Sequence, residues 1–244
     1  MPRGESIVFG RSHCPHCGHQ LRWYENIPVL SWLILKGNCS NCKEFISIRY
    51  LVVEILTCIL LVTSWWRVEA FGQPISLFLF YILAIVLFVV TFFVDIKNRI
   101  IPNKLTYGVM VISLLLALLF PQAMGKVSYL ESVLNSLMGV VVGGGILLVF
   151  TAVGRLISGK WVLGGGDIKF VAAVGACFGL CPPVWFFVIF VASITGLITS
   201  LFLVLLKKKN WSSTIPFGPF LAIAGYLWIL CGREIVNFYL SLCN

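Results

Sequence analysis

Charge is scarce in this chain of 244 residues: 11% of it is Asp, Glu, Lys or Arg, 59% is hydrophobic, and the mean hydropathy is +1.00. That balance excludes an ordinary soluble domain, which would expose too much apolar surface, and leaves a polytopic helical membrane protein. Aspartate is nearly missing, with Asp95 and Asp167 the only two. The first 44 residues are polar and hold cysteines, so they lack the apolar core of a cleavable signal peptide. No internal repeat is evident, and no basic patch interleaved with aromatics. The formal charge of +9 is therefore read as loop charge of a membrane protein, with no nucleic-acid partner.

The long apolar runs are what remains. Taking about 20 residues per span, they predict helices over 50–66, 75–95, 105–121, 132–153, 168–181, 183–206 and 215–232. The short 168–181 run reads either as a full span or as one arm of a re-entrant hairpin. With the amino terminus in the cytoplasm and all seven segments crossing, only Arg67, Lys126 and Arg233 of the 18 basic residues fall outside. Such asymmetry sets the orientation and requires 168–181 to cross, because Lys207, Lys208 and Lys209 would otherwise change sides. The expectation is an all-α polytopic membrane protein of about seven transmembrane helices, 50–244, preceded by a small cytoplasmic module, 1–49.

That module carries "CPHC" at 14–17 and "CSNC" at 39–42. Two C-x2-C pairs can set Cys14, Cys17, Cys39 and Cys42 tetrahedrally around Zn2+, in the manner of a zinc ribbon. Pro15 and Gly18 suit the first turn and Asn41 the second. A cytoplasmic location keeps thiols reduced and favours metal over disulfide. His13, His16 and His19 crowd the first pair and read as solvated side chains rather than ligands. Four thiolates close the coordination shell, so the metal is expected to be structural. The intervening "LRWYENIPVLSWLILKG" suits either a membrane surface or a peptide clamp. Cys58, Cys177, Cys181, Cys231 and Cys243 lie in or beside apolar segments and read as buried thiols.

Asp95 closes the second span in "FFVDIKNRIIPNKLT", and Asp167 opens the fifth in "VLGGGDIKF". Each alone reads as an interfacial acid paired with Lys97 or Lys169. Both on one membrane face read as a pair sharing a proton, one carboxyl activating water while the other polarises a scissile carbonyl. Gly164, Gly165 and Gly166 would then let a backbone approach closely. Asp95 lies at a helix C-terminus and Asp167 before a helix N-terminus, which predicts the shared proton on Asp95. Glu54, deep in the first span, reads as a structural acid or a partner of Arg49.

These residues resemble the prepilin peptidase, or type IV leader peptidase, family over nearly the whole chain. The resemblance rests on "CPHCGHQLRWYENIPVLSWLILKGNCSNCKEFISIRYLVVE", on "DIKNRIIP" from Asp95, on "GGGDIK" around Asp167 and on "PFGPFLAIAG" at 216–225. It implies a bacterial inner-membrane aspartic endopeptidase that removes the basic leader of type IV prepilins or type II secretion pseudopilins. It implies too that many members N-methylate the new amino terminus with S-adenosylmethionine. By position, Asp95 and Asp167 match the catalytic aspartates, and Cys14, Cys17, Cys39 and Cys42 the cysteine tetrad. Gly164, Gly165, Gly166, Lys169, Glu54 and Pro102 are the expected substrate-binding or supporting residues. The sequence departs from the family in starting at "MPRGESIVFG", without the usual helix before the cysteines, and in having Asn103 where aspartate is common. The competing readings are a presenilin-like intramembrane protease, and a metal or ion transporter with a zinc-sensing module, which would set its acids near mid-bilayer.

Overall fold

Knuckle turns and apolar runs dictate two kinds of structure, and the computed structural model divides the chain accordingly, at 1–60 and 61–244. It describes residues 12–14, 16–159, 163–206 and 216–243. Pro15, Lys160 and Lys207–Lys209 lie outside the described residues.

The first unit holds two hairpin loops of matching backbone. In one, the Cys14 N–H donates to the His19 carbonyl and the Gly18 N–H to the Cys14 carbonyl; in the other, Cys39 N–H donates to Glu44 and Lys43 N–H to Cys39. Each loop is closed by an antiparallel bridge, His13 with Gln20 and Asn38 with Phe45. The tight reversal needs a left-handed residue four past the first cysteine: Gly18 (φ +69°) supplies it without strain, whereas the second loop uses Lys43 (φ +59°). Between the loops a 3-10 turn, Trp23–Asn26, leads into the short helix α1, Leu30–Ile34. The chain then enters α2, Ile48–Ala70.

The second unit is helical throughout its described elements: α3 (Ser76–Asn98), α4 (Asn103–Leu119), α5 (Tyr129–Ser158), α6 (Gly165–Phe178), α7 (Pro182–Leu205), α8 (Gly218–Leu227), a π-turn (Trp228–Gly232) and α9 (Arg233–Cys243). Each expected apolar segment falls largely on a helix, and α2, α3 and α5 outrun theirs: α3 continues past Asp95 through Lys97, and α5 includes both Glu131 and Arg155. Trimming at the first charge shortened the expectation, since a helix end reaching headgroups and water tolerates charge. Helices α2, α3, α5 and α7 are long and apolar enough to cross a membrane, while α4 and α8 are shorter. Helix α6 has 14 residues, rising about 21 Å against a hydrocarbon core of about 30 Å. It stops at Gly179, which turns to φ +69°; Pro182 and Pro183 then start α7 in its first turn, where their missing N–H groups cost nothing.

Helix α6 is the centre of this unit: Phe170 through Cys177 are all buried. Its closest partner is α5. A Cβ on Gly139 would stand 2.1 Å from the Gly175 carbonyl oxygen, and one on Gly175 2.1 Å from that of Gly139. Paired glycines let backbones touch where lipid supplies no hydrophobic drive between helices. Ser136 Oγ donates to the Ala176 carbonyl at 2.8 Å in the same seam. On other sides, Ser113 of α4 bonds the Cys177 thiol, and Phe88 of α3 packs on Phe170 with ring centres 5.9 Å apart. Gly225 of α8 lies against the Phe88 ring, and a hydroxyl pair, Thr63 with Tyr226, ties α2 to α8.

Candidate active site and metal centre

Asp95 sits in the last turn of α3, one turn before Arg99 (φ +54°) ends the helix by donating its N–H to the Asp95 carbonyl. The side chain is 5% exposed. Its Oδ2 accepts a hydrogen bond of 3.0 Å from the N–H of Gly218, the first residue of α8. A Cβ at Gly218 would stand 2.7 Å from that oxygen and 3.0 Å from Thr91 Cγ2, so only glycine fits. Thr91 Oγ1, one turn earlier in α3, is buried without a hydrogen-bond partner among the described residues. Other helical hydroxyls here, such as Thr57 and Thr151, bond the carbonyl four residues back.

Asp167 is half-buried in the first turn of α6, third residue of the helix rather than a residue before it. Its Oδ2 lies 3.3 Å from where a Gly164 Cβ would be. Gly164 and Gly165 are exposed, whereas Gly166 packs on Ile101, 3.2 Å from a virtual Cβ to the Ile101 Cβ. Ile101 belongs to the link that follows Asp95, so this contact and the Phe88–Phe170 pair draw the two aspartates' helix ends together. Asp95 and Asp167 thus stand on neighbouring helix ends. Neither carboxyl makes an ion pair among the described residues. Lys169 turns instead to Asn103 Oδ1 at 2.9 Å and to the Tyr107 ring, and Pro102 caps the start of α4 beside them. The helix-end fields that favour the shared proton on Asp95 are partly cancelled there. The C-terminus of α3 and the N-terminus of α6 enter that expectation, and the N-terminus of α8, whose Gly218 N–H reaches Asp95, opposes it.

Residues 81–201 match the family model described as "Type IV leader peptidase family", and residues 1–68 the "Bacterial Peptidase A24 N-terminal domain". Three relatives, each called "Prepilin leader peptidase/N-methyltransferase", match nearly the whole of this chain and about three quarters of their own length. The protein of Aeromonas salmonicida is 36% identical over 97% of this chain and 76% of its own length. Those of Legionella pneumophila and Pseudomonas aeruginosa are 34% and 33% identical, each over 97% of this chain and 77% of the relative. The chain belongs to the type IV leader peptidase family. No solved structure matches it.

In this leader peptidase the four cysteines of the paired loops converge, with all four sulfurs within 4.8 Å of one another. Cys14 and Cys42 Sγ are 3.8 Å apart, and Cys17 and Cys39 Sγ 4.0 Å. Tetrahedral Zn2+ with Zn–S of 2.3 Å requires S···S edges of about 3.8 Å, so the donors fit. Electrostatics agree. The His19 backbone amide above all draws the Cys17 thiol down to about 6. Cys42 is pushed up to about 12, because desolvation and the neighbouring thiols Cys17, Cys39 and Cys14 outweigh the Glu44 amide that draws it down. Four such sulfurs ionise together only around a cation. His19 faces Glu25 at 3.5 Å, so it is set as a partner of that acid. Glu54 lies in the same unit, and its Oε2 accepts the Val29 N–H at 2.8 Å; its partner is this amide and not Arg49.

Two site residues escaped the sequence reading. Gly218 was visible only as part of "PFGPFLAIAG", and nothing in one dimension ties it to a residue 123 positions earlier. Thr91 gave no signal, being one hydroxyl in an apolar run.

Proposed function

We propose that the chain is a membrane aspartic endopeptidase that removes the basic leader of type IV prepilins or type II secretion pseudopilins, with Asp95 and Asp167 as its catalytic pair. The observation that carries this is their convergence: one carboxyl from the last turn of α3 and one from the first turn of α6, brought together at helix ends with no ion pair to either among the described residues. One carboxylate takes a proton from water as the oxygen attacks the scissile carbonyl, while the protonated partner donates to the carbonyl oxygen. The tetrahedral intermediate collapses as the C–N bond breaks, and the leaving amine receives the proton taken from water. Gly218 fixes Asp95 through its N–H, and the Thr91 hydroxyl is free to hold a water beside it. Gly164 and Gly165 leave room for an extended substrate strand, and Lys169 with Asn103 and Pro102 braces the α4–α6 edge of the site.

In the same reading residues 1–49 form a cytoplasmic module and 50–244 the peptidase domain in the bacterial inner membrane, the basic-residue asymmetry setting the orientation. Cys14, Cys17, Cys39 and Cys42 hold a structural Zn2+, which when bound supplies the cross-link between the two loops. N-methylation of the new amino terminus by S-adenosylmethionine is a second activity, supported by the relatives' name. A cleft of about 210 Å³ bounded by Arg67, Phe71, Trp228 and Glu234 is smaller than the roughly 300 Å³ and more that ligands of that size occupy. It does not fit the methyl donor.

Co-expression with a prepilin tests the reading. The precursor is expected to shift to its mature mobility, and the shift to vanish with Asp95→Asn and with Asp167→Asn, both variants remaining in the membrane. Cleavage surviving both substitutions would end the aspartyl mechanism. Mass spectrometry of the mature amino terminus reads methylation directly.

A further inference from the structure

The first unit presents an apolar face that the metal centre does not explain. Leu30, Leu33 and Ile34 of α1 stand at helical spacing and all point outward, Ile34 being 77% exposed. Ile27, Trp23 and Phe45 are exposed as well. The opposite side of α1 is fixed inward: Trp32 packs its ring against Gly37, and its Nε1 donates to the Ile46 carbonyl at 3.4 Å. The outward face is therefore held in place and is not a product of a loose loop.

Its depth follows from Glu54. The Val29 N–H, at the start of α1, donates to Glu54 Oε2 at 2.8 Å. Glu54 is six residues into α2, which begins at Ile48, hence about 9 Å along that helix. Interfacial helices bury their apolar side about 5–10 Å below the headgroups. On α2 itself Ile48, Val52, Ile55 and Ile59 are exposed, so the α1 face continues an apolar surface that already suits lipid. The charges match an anionic surface: Arg22, Lys36, Lys43 and Arg49 are exposed, while Glu25 is buried and Glu54 is engaged, leaving Glu44 as the exposed acid among the described residues of this unit. The bond also accounts for an acid inside an apolar helix, since the Val29 amide satisfies it there.

We infer that the α1 face, Leu30, Leu33 and Ile34 with Ile27 and Trp23, inserts into the lipid leaflet beside the start of α2, anchoring the four-cysteine module on an anionic membrane surface. The segment between the cysteine pairs is then a membrane anchor and not a peptide clamp. Basic side chains around it reach to lipid phosphates while their stems cover the apolar edge.

The test uses the full chain in nanodiscs of phosphatidylethanolamine and phosphatidylglycerol, with an environment-sensitive fluorescent amino acid at Ile34 and, as control, at Gln20. Emission from position 34 is expected to be blue-shifted, quenched by lipids spin-labelled high on the acyl chain, and at least fivefold less sensitive than position 20 to iodide in water. Iodide quenching equal to that at position 20 would overturn the inference. So would shielding from both quenchers, which would mean protein covers the face, and so would loss of lipid quenching when a prepilin is added, which would make it a substrate surface. Retained zinc and wild-type melting of the labelled protein establish that each readout comes from the folded module.

Discussion

Replacing Gly218 by alanine tests whether the N-terminus of α8 sets the reactive position of Asp95. The new Cβ would stand 2.7 Å from Asp95 Oδ2, 3.1 Å from its Cγ and 3.0 Å from Thr91 Cγ2. A carbon and an oxygen settle no closer than about 3.3 Å, well short of the 3.5–4.0 Å optimum for carbon pairs, so the carboxyl or α8 must yield by roughly 0.6 Å. Thr91 and Asp95 are both buried on one helix, and the carboxyl has no open side toward α8. Moving α8 back lengthens the 3.0 Å bond from the Gly218 N–H, and turning the carboxyl breaks its alignment. Misplacement by about 1 Å costs up to roughly 100-fold in rate, so kcat for leader removal is expected to fall about 10- to 100-fold with KM little changed. Overpacking also costs about 1–3 kcal/mol of stability, so thermal melting in detergent accompanies the kinetics. Gly145→Ala, whose Cβ would meet nothing within 4 Å, is the control and should keep wild-type rate. A folded Gly218→Ala enzyme with wild-type kcat would refute the role given to this contact.

Thr91→Val keeps the shape and removes the unpartnered hydroxyl; kcat is expected to drop at least several-fold with melting unchanged, and an unaltered rate would show that the hydroxyl holds nothing. Gly139→Ala and Gly175→Ala each force a methyl onto a backbone oxygen 2.1 Å away, so α5 and α6 must part; a loss of about 3 kcal/mol or more, or failure to accumulate, is expected, and wild-type melting would deny the close seam. Cys14→Ser and Cys39→Ser should lower bound zinc from one per chain to a small fraction by metal analysis, and undiminished zinc would remove the tetrad assignment. Zinc binding to metal-stripped protein at pH 7 should release protons, because Cys42, held at about 12, is protonated until the metal arrives; calorimetry in two buffers of different ionisation enthalpy reads this, and zero release would contradict it.

The sequence by itself determined the membrane class, the helical character of each apolar run and the four-cysteine tetrad. These depend on local composition and short spacing, which survive in one dimension. A C-x2-C pair needs only its own turn, and the two loops do close with the same backbone pattern around Gly18 and Lys43. Helix ends were less legible. Apolar runs mark where lipid lies, whereas α3 and α5 continue past charged residues until the backbone turns, as at Arg99. The two aspartates were visible as residue types, but only the tertiary structure decided their surroundings. Gly166 closing on Ile101 and Phe88 on Phe170 draw α3 and α6 together, and Gly218 reaches Asp95 from 123 residues away. The proton placement drawn from helix ends left out one dipole for the same reason: a carboxyl feels every dipole packed against it, and α8 is not a neighbour in sequence. Long-range contact decides such fields, and no window of residues around Asp95 contains them.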